Sequence, residues 1–288
     1  MPSENRLSVY IIIPVFNRLA FTIACVDSLL QQAYQDYTIV IVDHGSKDGT
    51  SDHIKEHYPQ VVLLQGDESM WWTAATNLGL EYALDNGAEY ILTLNNDLIV
   101  GKDYLQGLMQ VMNSRKDLII GSASVDIAHP QKVAYAGTRW NPWLAKYRHA
   151  VNLGLSYQEL IGKAETIETD LLPGRGTLIP AIAFRNLGLY DEHNFPHYAA
   201  DEDFSLRAKK SGFTLLVHPR SVVHSHIQET GIRKEKMSLQ YLVRSFSSVK
   251  SPKNLTIRWR WARKHARTPA PFYFLLDFAR LLKSTISQ

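Results

Sequence analysis

The residues with most chemistry to offer stand where apolar runs break off. ILTLNNDLIV (91–100) alternates like a buried strand, then stops on Asn95, Asn96 and Asp97, three side chains that are costly to bury without partners. An acidic triplet, Asp201, Glu202 and Asp203, opens DEDFSLRAKKSG (201–212), and His224 and His226 stand two apart in VVHSH. Carboxylate oxygens suit hard divalent cations such as Mg2+ and Mn2+, which keep positions open for phosphate oxygens. A carboxylate beside a hydroxyl can act as a general base, and two imidazoles spaced by two on a strand face one side. Each feature also has a structural use. Asn and Asp close turns after strands, acids favour helix N-termini, and Asp203 can pair with Arg207 one helical turn on.

Positioning these residues requires a regular scaffold. SVYIII (8–13), TIVIV (38–42), VVLLQ (61–65) and EYILTL (89–94) read as strands, separated by helical patterns over 18–32, 51–58 and 73–87. Strands alternating with helices of this length predict an α/β fold with a parallel sheet covered on both faces. Ligands then bind at the carboxyl ends of the strands. The loops there are PVFNR (14–18), DHGSKDGT (43–50), GDESMWW (66–72) and NNDLIV (95–100). Gly45 and Gly49 suit positive φ, and Ser46 or Asp48 suits a cap on the following helix. Further on, 117–125 reads as a strand, 134–151 as an aromatic hairpin, and 151–168 as a polar loop that orders on binding. A helix over 201–212 and a strand pair around 213–217 and 221–226 complete the series.

The chain has 288 residues, 45% hydrophobic and 20% charged, which excludes a disordered protein and leaves room for a sizeable core. Its one cysteine, Cys25, lies in an apolar helical pattern and forms no internal disulfide; it reads as a core residue of a reducing compartment. There is no apolar run of membrane-spanning length and no secretory leader in MPSENRLSVY, so a cytoplasmic location is expected. The net charge of +3 conceals a division: 18 Lys/Arg against 26 Asp/Glu over residues 1–230, and 13 against 2 over 231–288. Residues 254–283, NLTIRWRWARKHARTPAPFYFLLDFARLLK, combine basic and aromatic residues with an apolar helical face. They fit a helix lying on an anionic membrane surface, or one packed on the catalytic domain or a second subunit. The first strand is followed by no GxGxxG, which argues against a dinucleotide-dependent oxidoreductase.

Taken in order over roughly residues 6–228, the Pro-Val-Phe-Asn turn, VDHGSKDGT, GDESMWWTAATNLG (66–79), NND, and the late DEDFSLRAKKSG with VVHSH resemble the family 2 glycosyltransferases of the GT-A fold. The resemblance is strongest to the bacterial branch called rhamnosyltransferase-like. It implies a mostly parallel nucleotide-binding sheet flanked by helices, with a catalytic domain over 1–230 (nucleotide-sugar half 1–115, acceptor half 116–230) and a basic helical extension over 231–288. Transfer from a nucleotide-diphosphate sugar leaves a diphosphate that gathers negative charge, which Mg2+ or Mn2+ can offset.

The resemblance places Asp97 at the metal-binding position of the Asp-x-Asp motif, with Asn95 in place of the first Asp and Asn96 beside it. It implies the third metal contact or a diphosphate contact at His224, with His226 as second choice, and the catalytic base at Asp201. Pro14, Phe16, Asn17, Asp43, Asp67, Trp72 and Arg175 are implied on the donor side. Where the family often has a second Asp after Asp43, this chain has His44. Gly174, Gly176, Glu202 and Asp203 fall in the acceptor region. The implied reaction is an inverting displacement from a dTDP- or UDP-sugar onto a glycan or lipid-linked acceptor, in bacterial surface polysaccharide synthesis at the inner face of the membrane. The extension is also a surface for self-association; nucleic acid is not an expected partner. The competing readings are a sugar-phosphate nucleotidyltransferase, disfavoured by the lack of Gly in PVFNRLAFT, and a nucleotide- or carbohydrate-binding protein without turnover.

Overall fold

A computed structural model describes residues 8–113, 115–226 and 239–286. The first half contains β1 (Val9–Val15), α1 (Leu19–Leu30), β2 (Tyr37–Asp43), α2 (Thr50–His57), β3 (Val62–Gln65), α3 (Trp72–Asp85), β4 (Tyr90–Thr93), β5 (Leu98–Val100) and α4 (Tyr104–Met112). The middle adds β6 (Leu118–Asp126), β7 (His129–Tyr135), β8 (Thr138–Asn141), β9 (Lys146–His149), α5 (Tyr157–Lys163), β10 (Ile167–Glu168) and β11 (Thr177–Pro180). The remainder is α6 (Ala181–Leu187), α7 (Ala200–Lys210), β12 (Thr214–Ser225), α8 (Leu239–Ser247), α9 (Leu255–His265) and α10 (Ala270–Ile286).

Ten strands form one sheet in the order β10-β12-β6-β11-β4-β1-β2-β3, with β5 beside β12 and β7 beside β6. The strands β3, β2, β1 and β4 run parallel, as do β6 and β12, and β11 lies antiparallel between β4 and β6. Continuous apolar runs make this arrangement stable: Val9, Ile11, Ile12 and Ile13 of β1 are all fully buried, because helices cover both sheet faces. Cys25 lies in this core, as its helical neighbours predicted. The directions bring the carboxyl ends of β1, β2, β4 and β12, and the amino end of the antiparallel β11, to one edge. That edge carries every loop singled out above.

Two expectations change. Residues 151–168 are not a plain loop: they contain α5 and β10. A reciprocal cap starts α5, with Ser156 Oγ accepting from the Glu159 N–H at 3.3 Å and a Glu159 carboxylate oxygen accepting from the Ser156 N–H at 2.8 Å. This Ser-x-x-Glu pattern removes two orphan donors. The strand pair over 213–226 is a single strand, β12, whose pairing with β6 slips between His218 and Val222. Pro219 lies in that interval and has no N–H for the ladder, so the chain bulges and continues.

The basic C-terminal helices pack into the same core. Trp261 is 2% exposed and meets Trp140 and Phe195 edge-on at centroid distances of 5.7 and 6.0 Å. Tyr273 is fully buried, and its hydroxyl accepts from Trp140 Nε1 at 2.9 Å. Arg260 donates to the carbonyls of His193 and Asn194, and Arg258 pairs with Asp277 at 3.4 Å. Trp261 and Arg260 therefore pack on the body that carries the sheet, and Arg258 ties α9 to α10, rather than facing a membrane.

Candidate active site

The loops after β1 and β2 brace one another. Asn17 (φ 57) and Arg18 (φ 65) both take the left-handed conformation. The Asn17 N–H donates to Ser46 Oγ at 2.7 Å, and its side-chain oxygen accepts from the Lys47 N–H at 2.8 Å. Asp48 accepts from the Leu19 N–H at 2.8 Å, satisfying a donor at the start of α1 where negative charge is favoured. Gly45 and Gly49 have φ of 105° and 83°, the positive values expected of them. Asp43, expected to contact a nucleobase, is 1% exposed and directs its carboxylate into its own loop, toward the N–H groups of Gly45 and Ser46 and the Ser51 hydroxyl. Asp67 likewise accepts from the backbone and hydroxyl of Ser69 within its own turn. Both carboxylates build turns here, and the Asn17 amide does the same. The aromatic surface at this edge is Phe16, 42% exposed and stacked on His44 at 5.2 Å; Pro14 lies buried behind it in β1.

Asp97 sits in the turn between β4 and β5, directly before Leu98, with its carboxylate 3.5 Å from the Arg18 guanidinium. Arg18 lies over the Phe21 ring at 5.5 Å, and His226 meets the same ring edge-on at 4.7 Å. His224 pairs across the ladder with Ile99, two residues beyond Asp97, and Ser225 with Leu98; His226 follows at the Asp97 end. The second choice among the histidines is therefore the one nearer Asp97. Among the described residues, no three His, Cys, Asp or Glu side chains converge as a closed cation cage. One carboxylate and one imidazole at a strand edge still fit a hard cation completed by phosphate oxygens, which is how Mg2+ is commonly held. Asn96 is engaged by α1, donating to Thr22 Oγ1 at 3.0 Å.

A second chain of contacts runs from Asn95 to Asp201. Trp72 Nε1 donates to the Asn95 side-chain oxygen at 3.0 Å, and the indole stacks on Tyr190 at 5.8 Å. Gly174 permits this approach, because a Cβ there would come within 2.3 Å of the indole. The Gly174 N–H donates to Asp201 at 2.7 Å, and the other Asp201 oxygen accepts from the Glu202 N–H at 2.9 Å. Burial pushes the Asp201 carboxyl up from the usual carboxylate range, opposed by these two N–H groups and by the Arg175 charge. Burial and the adjacent Asp201 push Glu202 up as well. Gly176 (φ 89) has a packing role: a Cβ would lie within 3.0 Å of Ser122 Oγ, Tyr104 Oη and Val223 Cγ1.

The third acid of the triplet departs from expectation. Asp203 is fully buried and does not reach an acceptor region; its carboxylate receives Arg207 at 2.8 Å, Lys264 at 2.7 Å and His265 at 2.8 Å. It joins α7 to α9. The Arg207 pairing was legible as an i to i+4 spacing, but Lys264 and His265 were not, being some sixty residues away. Arg18 also escaped the sequence reading, although it directly follows the Pro-Val-Phe-Asn turn.

Residues 10–170 match the family model for Glycosyl transferase family 2. Glycosyltransferase GlyG of Streptococcus pneumoniae serotype 4 is 28% identical over 116 residues, covering 39% of this chain and 38% of the relative. The chain spans 16–54% of the length of the first curated relatives it matches. Among solved structures, GalNAc-T7 with UDP, GalNAc and Mn2+ superposes with a TM-score of 0.64 at 16% identity, over 96% of this chain and 55% of that one. The mannosyltransferase PcManGT of Pyrobaculum calidifontis, in complex with GDP-Man and Mn2+, gives 0.57 at 16% identity, over 96% and 70%. These likenesses bear out the GT-A fold.

Proposed function

The chain belongs to glycosyl transferase family 2, and from that premise we propose that it moves a sugar from a nucleotide-diphosphate donor to an acceptor hydroxyl with inversion. The supporting observation is that Asp97 and His226, and Asp201 with Gly174, Trp72 and Asn95, lie at one edge of one sheet although 77 or more residues separate those of the first half from those of the second. In this reading Phe16 and His44 offer a face to the nucleobase. Asp97 and His226 would hold Mg2+ or Mn2+ against the diphosphate; when bound, the ion offsets the charge of the leaving group. Arg175 would face the phosphates, and Trp72, held by Asn95, the donor sugar. Asp201 takes the proton from the acceptor hydroxyl as that oxygen bonds to the anomeric carbon and the nucleoside diphosphate departs. The donor half then corresponds to residues 1–115 and the acceptor half to 116–230, joined by the helices beyond 231.

The structural neighbours bound to UDP or GDP-Man with Mn2+ support testing UDP-, dTDP- and GDP-sugars, each with and without Mn2+, for thermal stabilisation. At least one nucleotide diphosphate is expected to stabilise the protein in a metal-dependent way, and no such response from any of them would reject the reading. Asp97→Ala is expected to remove the metal-dependent part, because a site supplying two ligands loses its only carboxylate.

A place at a membrane, beside lipid-linked acceptors of surface polysaccharide synthesis, is the finer part of the proposal. No helix of the described residues is long and apolar enough to cross a bilayer. Its support is instead a surface on which Phe272 (52% exposed) and Leu275 (62%) of α10 join Trp143 (51%) and Leu144 (47%) of the β8–β9 turn, held together by Arg280 and Thr268 on that turn's carbonyls. Deleting the extension would strip the core of Trp261 and Tyr273, so substitutions are the sounder test. Trp143→Ser, Phe272→Ser and Leu275→Ser combined are expected to weaken sedimentation with anionic phospholipid vesicles at least tenfold, while leaving unfolding little changed. Equal sedimentation of the wild type and the triple variant would rule the surface out.

A further inference from the structure

The acidic end of α7 opens into a cavity of about 140 Å3, of whose lining residues Tyr147 alone lies within the family-matched segment. Asp201 and Glu202 form one side; Tyr147 of β9 and Tyr198 form another; Arg258 and Trp261 of α9 close it. At about 30 Å3 per water this is room for roughly five waters, on the scale of one sugar ring and too small for an oligosaccharide.

The polar groups around it are unequally occupied. Asp201 accepts from two N–H groups. Arg258 is anchored, donating to the Pro252 carbonyl at 3.1 Å, pairing with Asp277 at 3.4 Å and lying over Tyr147 at 5.8 Å. The Glu202 carboxylate, by contrast, takes no hydrogen bond from the described residues, although it is only partly exposed and shares the cavity with both. A partly exposed carboxylate without a protein donor is open to a ligand hydroxyl, which can donate to it. The charges select the ligand class. Two carboxylates face the cavity, and the only guanidinium in its wall is already matched by Asp277, so a further anion would meet net repulsion at short range. A neutral polyhydroxylated ring can donate to Glu202, accept from Arg258 and lay its C–H face against the tyrosines.

We propose that this cavity seats the acceptor as a single uncharged pyranose ring, with Glu202 and Arg258 as the residues that set acceptor specificity. The proposal rests on the transferase reading above, and it gives α9 a share in the substrate site. It excludes uronate or phosphate-bearing rings from the position next to Asp201.

The test uses the full chain with UDP and Mn2+ and two probe sets, methyl glycosides of neutral hexoses and those of the corresponding hexuronates, with binding read by saturation-transfer NMR titration. At least one neutral hexoside is expected to bind tenfold or more tightly than its hexuronate. Glu202→Gln, which keeps shape and removes charge, should narrow that preference at least threefold, and Arg258→Lys should weaken the hexoside, with the UDP-induced thermal shift retained in both. Hexuronates binding as well as hexosides, or neither substitution changing the preference, would overturn the assignment. So would a chain that binds UDP but none of the neutral hexosides. A chain that responds to no nucleotide diphosphate at all fails the transferase reading itself, and the two failures are thereby separated.

Discussion

Asp201→Asn is expected to lower sugar transfer by about 10²–10⁴-fold, the usual contribution of a positioned general base, while nucleotide diphosphate binding persists. The substitution keeps the acceptor oxygen that receives the Gly174 N–H at 2.7 Å, so the segment beside Trp72 should hold its place. What is lost is the ability to take the proton. Because burial raises the Asp201 carboxyl above its ordinary range, the acid limb of the wild-type rate profile should lie at higher pH than for a solvated Asp. The base must be ionised, so the rate falls as pH drops through that raised value. Asp201 and Glu202 are adjacent and both raised, so the limb reports the pair, and Glu202→Gln should move it toward lower pH by removing the neighbouring charge. An Asp201→Asn enzyme that transfers sugar at the wild-type rate would remove Asp201 from the mechanism.

Asp203→Ala, two residues on, should have little direct effect on chemistry and a large one on folding. Its carboxylate is fully buried and holds Arg207, Lys264 and His265 together. Removing one partner of a buried ionic cluster typically costs about 3–5 kcal/mol, which for a chain of this size corresponds to a fall in Tm of roughly 10 °C. The His265 ring donates through Nε2, since an ionised carboxylate can only accept. Burial acts to raise the Asp203 carboxyl, but His265, Lys264 and Arg207 more than offset this, leaving it below the usual range. Its contribution is therefore present above the unfolded-state value and is lost as pH falls through the lower folded one. Urea unfolding of the wild type should show that acid-side loss, and Asp203→Asn should lack it. A wild-type-like Tm for Asp203→Ala would mean that α9 is held by apolar contacts alone.

Local pattern was a good guide wherever one element carried the whole message. Continuous β-branched runs such as VYIIIPV mark strands covered on both faces, and the positive φ at Gly45 and Gly49 follows from turn chemistry. Even the polar residues 151–168 hold a Ser156-x-x-Glu159 capping pattern that announces a helix. The alternation of these elements determined the α/β class, and the order of the motifs determined the family.

What the linear pattern left open are choices among chemically equivalent residues. Asp97, Asp43 and Asp67 all follow strands, yet Asp43 and Asp67 turn back into their own loops while Asp97 meets Arg18. Asp201 and Asp203 lie on one helix two residues apart, about 200° around its axis at 3.6 residues per turn, so one faces the site and the other the core. Which histidine approaches Asp97 depends on the β5–β12 register, a pairing between segments more than a hundred residues apart. The residue types and their periodicity by themselves determined the sheet, the strand-end loops and the set of candidate groups. Only the tertiary structure decided which carboxylate builds a turn, which clamps a helix and which faces a cavity, because each depends on partners that folding brings from distant parts of the chain.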